Sequence, residues 1–495
     1  MEIAAREMPS ATVRPGDMRI LLAETEAAAD RALRRPADYL RYRDALSHAA
    51  AAFSRPLAGC DVQPLPMAVP DLQRERLAGL ARQVFAAIET VVQLFVDGEP
   101  EVAALFARYD GLRPLMIRQG RYWQGIGRYD FTIDRKGDPQ FLSARAARAP
   151  NYCAVRELRR WFMATAPDFL QAAGIHEDCS HESHGLGSSI ADLIRRSRPG
   201  DGSVAVLLDR TQDRCEVAQA IAALEREGLT AAIGRAEDLV FDDGYRMARG
   251  GPRVAAVLDL QPMLGPGGGW PPGAEVRFAS YLRGVRDNAF LMVNTFAAMT
   301  VAEDEAVFAA LTRPAVRARL TQAQRRVVQR HLPDSYLLGR GTRTLEGVPL
   351  ARELKANRGD WEIRRCRPTA GAGSLAGRDT AAEDWSALVD GLLDGDVPHL
   401  AQRRVEPHLA RLATGGPDGL SVRRMQFIGG VYFNDRHLPA LLARVVPAAT
   451  ARSAAGGASI LPQMLKRDGS QALLRQPKLP PEPLGRKQAA RATAC

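Results

Sequence analysis

Several residues between positions 118 and 146 have the types and spacing of a ligand-binding hairpin. The run RQGRYWQGIGRYDFTIDRKGDPQFLSARA contains two β-rich stretches joined by a Lys-Gly-Asp turn, which predicts a β-hairpin. Its basic and aromatic residues would form a stripe that either faces an anionic ligand, such as a substrate carboxylate, or makes a salt-bridged strand face. The sequence favours neither interpretation. The residues of this stripe are Arg118, Arg121, Tyr122, Trp123 and Arg128.

Lysine is rare in this chain, and one lysine stands out by its position. Of 67 basic residues only five are lysine, at 136, 355, 466, 478 and 487. Lys355 lies in LARELKANRGDWEIRR, which we interpret as strand–turn–strand, shortly before the glycine-rich segment PTAGAGSLAGRD. A lysine in this place either neutralises phosphate as a point cation or is an ordinary surface residue.

The segment HEDCSHESHG, residues 176–185, concentrates three of the eight histidines beside a cysteine. Imidazole and thiolate suit zinc or iron, but the spacing fits no standard metal site. We favour a solvated or substrate-facing loop over a metal site. The GLGSS that follows lacks the GxSxG pattern of a nucleophile elbow. The residues concerned are His176, Cys179, His181 and His184.

Composition and charge indicate a globular chain with a basic tail. Hydrophobic residues make up 46% and charged residues 25% of the 495 positions, which are ordinary values for soluble proteins. The net charge is +10, and residues 466–495, with seven basic and two acidic side chains, contribute +5 of it. This Pro-rich, aperiodic tail predicts disorder. Because the rest is only mildly basic and carries no nucleic-acid-binding motif, we expect no nucleic-acid partner.

Targeting signals and cysteine usage predict a cytoplasmic protein. The N-terminal run MEIAAREMPSATVRPGDMR has no apolar core, so it does not indicate a secretory signal. No stretch of about 18 apolar residues predicts a membrane span. Six cysteines form no CxxC pair, which argues against a disulfide scaffold or a zinc ribbon. The predicted compartment is therefore reducing.

The periodicity of apolar residues predicts an α/β protein. Residues 20–110 and 152–174 have helical patterns, clearest at 75–95. Strands and helices alternate between 203 and 294, which predicts a Rossmann-like layer with a parallel sheet, and no GxGxxG follows its first strand, so a dinucleotide is not implied. The remaining predictions are helices at 303–311, 321–331, 381–393 and 438–446 and strands at 351–365, 398–406 and 421–433.

The order of these segments resembles the circularly permuted ATP-grasp proteins, the group that includes the synthetase part of glutathionylspermidine synthase. The similarity runs from about residue 118 to about residue 465 and rests on several weak motifs in the right order. Those motifs are GRYDF (127–131), the strand ending in MVN (292–294), HLPDSYLL (331–338), LKAN (354–357), GAGSLAG (371–377) with EDW (383–385), HLAQRRVEP (399–407), and FIGGVYF (427–433) with Arg444.

This resemblance implies a circularly permuted ATP-grasp fold of the α/β class, with a Rossmann-like subdomain and a helical N-terminal region. It implies an ATP-dependent carboxylate–amine ligase that acts through an acyl phosphate, in small-molecule or peptide biosynthesis, with ATP and Mg²⁺. The expected partners are a small carboxylate and an amine, not nucleic acid or a membrane. The implied divisions are a helical region at 1–117, the hairpin and helices of the catalytic domain at 118–200, the Rossmann-like subdomain at 201–300, the nucleotide-binding part with closing strands at 301–465, and a disordered tail at 466–495.

The resemblance also implies roles for individual residues. Arg128 and Arg444 would be catalytic and stabilise the acyl phosphate, and Asp130 would hold magnesium. Glycines would let backbone N–H groups approach the ATP phosphates. The remaining assignments place Lys355, Gly371, Gly373 and Ser374 on the phosphates and Gln402 and Val405 around the adenine.

The second strand of the hairpin departs from the family pattern. Ser143 stands where Glu is expected and Arg145 where Asn is expected, so two metal ligands are replaced and a positive charge is added. At short range in a partly desolvated site, the repulsion between Arg145 and a dication would be on the order of several kcal/mol. Either metal binding is rebuilt, with Asp134 or Asp138, or the usual ATP chemistry is lost. We expect Asp130 and Ser143 to lie side by side on adjacent strands.

Two further positions depart from the pattern and keep a second function open. Ser374 replaces a usually aliphatic residue of the glycine loop, and Arg403 follows Gln402 where an acidic residue is common. The alternative function is therefore a degenerate ATP-grasp homologue that binds a small molecule or a partner protein, or catalyses a reaction without nucleotide. Trp361 and Trp385 are predicted to be core residues rather than cofactor contacts.

Overall fold

The computed structural model describes most of the chain between residues 17 and 466. The histidine-rich segment 176–185, Gly371, Gly373, residues 467–495 and most of the predicted helix 152–174 lie outside the described residues. The described residues are 17–37, 39–44, 61–118, 126–146, 158, 164, 168, 171, 186–197, 203–207, 214–260, 264, 269–367, 374–416, 419–434, 437–447, 459–460 and 463–466.

Helices and strands mix along the whole described chain, which confirms the α/β class. The strands are β1 (Asp61–Val62), β2 (Met67–Pro70), β3 (Gly127–Ile133), β4 (Pro139–Arg145), β5 (Ser203–Leu207), β6 (Ala231–Gly234), β7 (Val240–Phe241), β8 (Tyr245–Arg246), β9 (Val254–Asp259), β10 (Leu291–Met292), β11 (Ser335–Leu337), β12 (Trp361–Arg365), β13 (Leu375–Ala376), β14 (His399–Arg403), β15 (Leu409–Gly416), β16 (Gly419–Asn434), β17 (His437–Pro447), β18 (Ser459–Ile460) and β19 (Gln463–Lys466). The α-helices are Arg19–Leu33, Asp71–Asp97, Pro100–Leu105, Arg113–Arg118, Leu186–Ser197, Arg214–Arg226, Ala274–Arg277, Ala279–Arg286, Ala306–Ala310, Pro314–Arg319, Gln322–His331, Leu350–Ala356 and Ala382–Leu393.

A large sheet carries the predicted hairpin. Its strand order is β1-β18-β17-β16-β3-β4, and β15 also pairs with β16. The long strand β16 runs antiparallel to β15, β17 and β3, so it joins the hairpin to the C-terminal strands. In the turn between β3 and β4, Gly137 has φ +87°, and an added Cβ there would lie 2.0 Å from Oδ1 of Asp17. The hairpin predicted within 118–146 is confirmed as β3 and β4.

One face of the large sheet contacts the helix Asp71–Asp97, which confirms the helix predicted at 75–95. Ile88 and Phe95 of this helix are fully buried in the same hydrophobic core as Phe131 and Phe427 of the sheet. By length and composition alone, this is the one described helix that is apolar enough to cross a membrane. Its apolar side is already covered by protein, as in the core helix of a globular domain.

A second sheet has parallel strands, as the alternation of strands and helices between 203 and 294 predicts. Its order is β10-β9-β5-β6, and all three pairings are parallel. The helix Arg214–Arg226 connects β5 to β6, and Gly228, with φ +75°, follows its end. A left-handed residue after a helix is favourable for glycine because no Cβ is strained.

A third sheet, β11-β14-β12-β13, is antiparallel at each pairing and packs on two helices. Trp361 and Trp385 are fully buried in the core that this sheet forms with the helices Leu350–Ala356 and Ala382–Leu393. The prediction that both tryptophans are core residues is confirmed, as is the helix predicted at 381–393.

Two predicted elements are wrong, and the stretch 20–110 predicted as helical also contains the strands β1 and β2. Residues 351–365 do not form strand–turn–strand, because the helix Leu350–Ala356 and a short 3-10 turn precede β12. Residues 438–446 do not form a helix but lie in β17, which pairs with β16 over almost its whole length. Pairing with β16 satisfies the backbone groups of β17 and buries Val445 and Val446, so tertiary context outweighs the helical periodicity.

Candidate functional site

The β3–β4 hairpin places four predicted or departing residues on one face of the large sheet. Asp130 pairs across the hairpin with Ser143, as expected from the sequence, and Arg128 pairs with Arg145. On the other side of β3, Gly430 lies opposite Asp130. An added Cβ at Gly430 would lie 2.8 Å from Cδ of Arg128 and 3.0 Å from Oδ1 of Asp130, so glycine leaves the space that these two side chains fill.

Asp130 is buried and holds an ion pair with two arginines. Nε of Arg128 donates to Oδ1 of Asp130 at 2.7 Å, and a terminal nitrogen of the same guanidinium donates to Oδ2 at 3.1 Å. Arg444, on β17, and the Ser143 hydroxyl donate to Oδ2 at 3.4 and 3.3 Å. Burial would raise the pKa of Asp130, but the charges of Arg128 and Arg444 outweigh it and hold the pKa below its ordinary value.

These contacts do not fit a magnesium ligand. Both oxygens of Asp130 already accept hydrogen bonds, and Arg145 adds a third positive charge that helps to lower the pKa of Asp130. Magnesium requires oxygen ligands in near-octahedral geometry, whereas arginine offers only donors. Among the described residues, no group of three or more His, Cys, Asp or Glu lies close enough to hold a metal ion. The predicted role of Asp130 as a metal ligand is therefore not supported, and Asp134 does not replace it, because its carboxylate accepts bonds from the hairpin turn.

Two of the arginines are open to solvent beside this buried pair. The side chain of Arg444 is 30% exposed, and its Nε has no hydrogen-bond partner among the described residues. The side chain of Arg145 is 28% exposed and, within the part of the chain that the structure describes, forms a 3.6 Å ion pair with Glu305. Both side chains are therefore partly accessible to a ligand.

A buried glutamate lies between the hairpin and the third sheet. Glu305 contacts Arg364 at 3.1 Å and Arg145 at 3.6 Å. Burial raises the pKa of Glu305 above its ordinary value, and the two arginines offset this effect only in part. Next to it, Asp304 accepts bonds from Arg108 and, at 2.6 Å, from the hydroxyl of Tyr109, which ties the N-terminal helical region to this part of the fold.

Arg364 is a cation that sequence analysis missed. It lies on β12, the strand immediately before the glycine-rich segment, and it donates to the backbone carbonyl of Leu142 as well as to Glu305. The hairpin register shifts between Asp130 and Phe131, so Leu142 has no cross-strand partner. Such a bulge leaves a backbone carbonyl outside the hydrogen bonds between the two strands. Arg364 donates to this carbonyl.

Apolar and charged residues alternate in WEIRR, residues 361–365, and this alternation could have revealed Arg364. Trp361 and Ile363 lie in the core of the third sheet, so Glu362 and Arg364 must lie on its opposite face. Glu362 is also buried, and it forms a 3.5 Å ion pair with Arg364.

Lys355 lies away from this face. It is in the last turn of the helix Leu350–Ala356, where its Nζ donates to both oxygens of Asp390 at 2.6 and 2.7 Å. Asp390 belongs to the neighbouring helix Ala382–Leu393, so the contact is a partly exposed pair between two surface helices. The predicted strand position of Lys355 next to the glycine loop is wrong, because the helix extends to Ala356 before the chain enters β12.

The predicted adenine residues lie on or just after β14. Gln402 is fully buried and donates from Nε2 to the hydroxyl of Ser335 at 2.9 Å, while its Oε1 has no partner among the described residues. Val405, just after β14, is also buried.

Ser374 and Arg403, the two further residues that depart from the family pattern, lie in different surroundings. Arg403 points away from Gln402, contacts the ring face of Trp361, and forms a 3.4 Å ion pair with Glu353. Its charge is thus balanced on the face of the third sheet that packs on the helices, opposite to Gln402. Ser374 directly precedes β13, which pairs with β12, while Gly371 and Gly373 lie outside the described residues.

No family model and no curated protein matches this chain. Among solved structures, it is similar to a glutathione synthetase-like effector from Globodera pallida in apo form, at 10% identity, covering 91% of this chain and 98% of that chain with a TM-score of 0.47. It is also similar to a D-cycloserine synthetase, at 14% identity over 53% of this chain and 90% of that one, with a TM-score of 0.26. A RimK-domain ATP-grasp protein from Sphaerobacter thermophilus matches at 15% identity, over 52% and 89% of the two chains, with a TM-score of 0.27. These likenesses are distant, and the circular permutation remains a prediction.

Proposed function

We propose that this protein is an ATP-grasp-type carboxylate–amine ligase whose carboxylate substrate is bound at Arg444. The observation that carries the proposal is the buried Arg128–Asp130 pair, which holds the partly exposed Arg444 beside it through a 3.4 Å hydrogen bond. A guanidinium matches the two oxygens of a carboxylate in geometry and charge. The motif order around the glycine-rich segment supports the nucleotide part of the proposal.

The reaction that follows has two steps. A substrate carboxylate oxygen attacks the γ-phosphorus of ATP, the bond to the bridging oxygen breaks, and ADP leaves. The amine nitrogen then attacks the acyl carbon, phosphate leaves, and the proton of the amine passes to solvent. In this proposal Arg444 orients the carboxylate, Arg364 neutralises phosphate charge in place of Lys355, and Gln402 accepts a hydrogen bond from the adenine.

The test is carboxylate-dependent ADP release by the purified full chain. Hydroxylamine serves as the amine, because it converts an acyl phosphate into a hydroxamate whatever the natural amine is, and a panel of amino acids and dicarboxylates supplies the acid. We expect at least one acid to yield equal amounts of ADP and hydroxamate. Arg444→Gln should abolish this activity, whereas Arg403→Gln, with the same charge change on the helix-covered face of the third sheet, should keep it. A panel without any acid-dependent ADP release would overturn the proposal.

A second function is favoured by the saturation of Asp130 and by the position of Lys355. Asp130 accepts hydrogen bonds from Arg128 and Ser143, and Lys355 is paired with Asp390. Neither side chain is therefore available to a nucleotide or its metal ion. The protein would then bind a small anion without nucleotide. Calorimetry separates the two functions, since a carboxylate that binds while ATP gives no heat, with or without magnesium, supports the second and excludes the first.

A further inference from the structure

The chain between Glu305 and Asp334 contains six arginines and no acidic residue. Two consecutive helices of this stretch, Pro314–Arg319 and Gln322–His331, carry most of the arginines. The second helix buries one side in the protein and exposes the other, with the spacing of three and four residues that places side chains on one helix face. The charged and amide side chains on its exposed side are Gln322, Arg325, Arg326, Gln329 and Arg330.

Two of the six arginines have partners within the chain. Arg330 forms an ion pair with Asp138 at 2.9 Å, and Arg325 donates to the backbone carbonyl of Leu320 at 2.7 Å, which joins the second helix to the end of the first. The other four arginines are exposed or half-buried and form no ion pair with any described residue. We call these four side chains the basic surface: Arg313, Arg317, Arg319 and Arg326.

The stretch between Arg378 and Arg403 has the opposite charge. It contains six acidic residues and neither lysine nor arginine, and all six acidic side chains are exposed. The helix Ala382–Leu393 buries Trp385 and Val389 against the third sheet. Its acidic residues, at 383 and 390 and just after its end at 394, recur at helical spacing on the opposite side.

Half of these carboxylates are balanced within the chain. Asp390 pairs with Lys355 and Asp394 with Arg340, and the carboxylate at 379 lies 3.3 Å from its neighbour Arg378. The other three form no ion pair with any described residue. Within the described chain, no ion pair joins this stretch to the basic surface. We call the three unpaired carboxylates the acidic surface: Glu383, Asp384 and Asp396.

We propose that the basic surface of one copy of this chain binds the acidic surface of a second copy. Charge complementarity carries the inference, because each surface has unpaired charges of one sign and lies in a stretch of sequence without the other sign. A small anion or a nucleic acid would use the basic surface alone and would leave the acidic surface without a partner. Two copies related by a two-fold axis form this contact twice, whereas a head-to-tail arrangement forms it once between neighbours.

Exposed charges make the contact sensitive to salt, which gives the first test. The screening length falls from about 10 Å at 0.1 M salt to about 3 Å at 1 M. We therefore expect sedimentation velocity of the full chain to show association that rises with protein concentration at the lower salt and is lost at the higher salt. No substrate or nucleotide is present, so the result is independent of the proposed ligase activity. A single-copy species at the lower salt, at every protein concentration, would overturn the inference.

Charge reversal on each surface identifies the residues in contact. One double variant combines Arg319→Glu with Arg326→Glu, and the other combines Asp384→Arg with Asp396→Arg. Each variant by itself brings like charges together, so its dissociation constant for self-association should rise at least about tenfold. Association that both variants retain would overturn the inference.

A matched control separates this effect from the change in net charge. Arg249→Glu combined with Arg286→Glu makes the same charge change as the variant of the basic surface, at two exposed arginines outside both surfaces. This control should associate as the native chain does. If it dissociates as much as the variant of the basic surface, net charge rather than a specific contact governs the association, and the inference is wrong.

An equimolar mixture of the two charge-reversed variants separates a direct contact from damage to either chain. One variant then carries two acidic surfaces and the other two basic surfaces, so the mixture should associate although neither variant does alone. Circular dichroism confirms that both are folded. A mixture of folded variants that stays dissociated would overturn the inference, as would a native chain that binds a homopolymeric RNA but does not associate with itself.

Discussion

The two faces of the β3–β4 hairpin have opposite chemistry although the same strands build both. On one face Phe131 lies 5.7 Å from Phe427 and 6.0 Å from Phe141, measured between ring centroids, within the main hydrophobic core. On the other face Arg128 and Asp130 form a buried ion pair. Alternate residues of a strand point to opposite sides, so each aromatic residue is next in sequence to a charged or polar one.

This difference shows how the fold keeps charged groups in place. A buried ion pair stabilises a fold only weakly, because desolvation offsets much of its Coulomb energy. The aromatic face supplies the hydrophobic energy and fixes the backbone, and the opposite face then holds Arg128 and Asp130 in one geometry. The aromatic face thus carries most of the stabilisation, and the charged face is the one that the proposed function uses.

Substitution on the aromatic face should have the largest effect on folding. Phe131→Ala would leave a cavity in the main core, where Phe131 is 1% exposed, and should lower the free energy of unfolding by about 3–5 kcal/mol. Urea denaturation followed by circular dichroism measures this. Phe241→Ala, at a 55% exposed position, is the control and should change stability little. A loss below about 1 kcal/mol for Phe131→Ala would contradict the difference between the faces.

Substitution on the charged face should lower the free energy of unfolding by about as much as Phe131→Ala, or slightly less. Asp130→Asn removes the counter-charge of the buried Arg128 and should destabilise the protein by about 3 kcal/mol. Because the pKa of Asp130 is held below its ordinary value of 3.8, its contribution is present above that pH and is lost as the pH falls through the folded-state pKa. Acid titration of stability should therefore show a smaller loss in the variant than in the native chain, and an identical acid dependence would contradict this.

Restoring the family residues tests the charged face in a different way. Ser143→Glu together with Arg145→Asn adds oxygen ligands and removes a positive charge next to Asp130. ATP binding should then become tighter with magnesium than without it, by about tenfold, which calorimetry in EDTA and in magnesium would detect. Ser143→Glu alone keeps Arg145 and should show a weaker magnesium effect. A native chain that already requires magnesium would contradict the expected gain.

The sequence predicted the elements whose local pattern agrees with their tertiary neighbours. The hairpin of β3 and β4, the parallel sheet and the helix Asp71–Asp97 all combine a clear apolar period with clear boundaries. It failed at β17, because HLPALLARVV has leucines at helical spacing and only pairing with β16 makes it a strand. A propensity argument cannot include a partner strand that is distant in sequence.

The same limit applies to the candidate site. The motifs on β3 and on the C-terminal strands predicted one site for Arg128, Asp130 and Arg444. The structure brings these three side chains into contact. The cation near the glycine-rich segment was predicted to be Lys355, from the rarity of lysine and from the motif LKAN, whereas β12 carries Arg364. Residue rarity is a weaker signal than strand alternation, which physical geometry imposes.

The smallest effect is expected at Lys355. Its ion pair with Asp390 joins two surface helices and is partly exposed, so Lys355→Ala should change the free energy of unfolding by less than about 1 kcal/mol. Nucleotide affinity, measured by calorimetry, should not change, whereas Arg364→Lys should weaken it, because lysine cannot donate to both Leu142 and Glu305 in the same planar geometry. If Lys355→Ala instead lowered nucleotide affinity tenfold while Arg364→Lys had no effect, the phosphate-binding cation would be Lys355. The face of the third sheet that carries Arg364 would then have no part in the site.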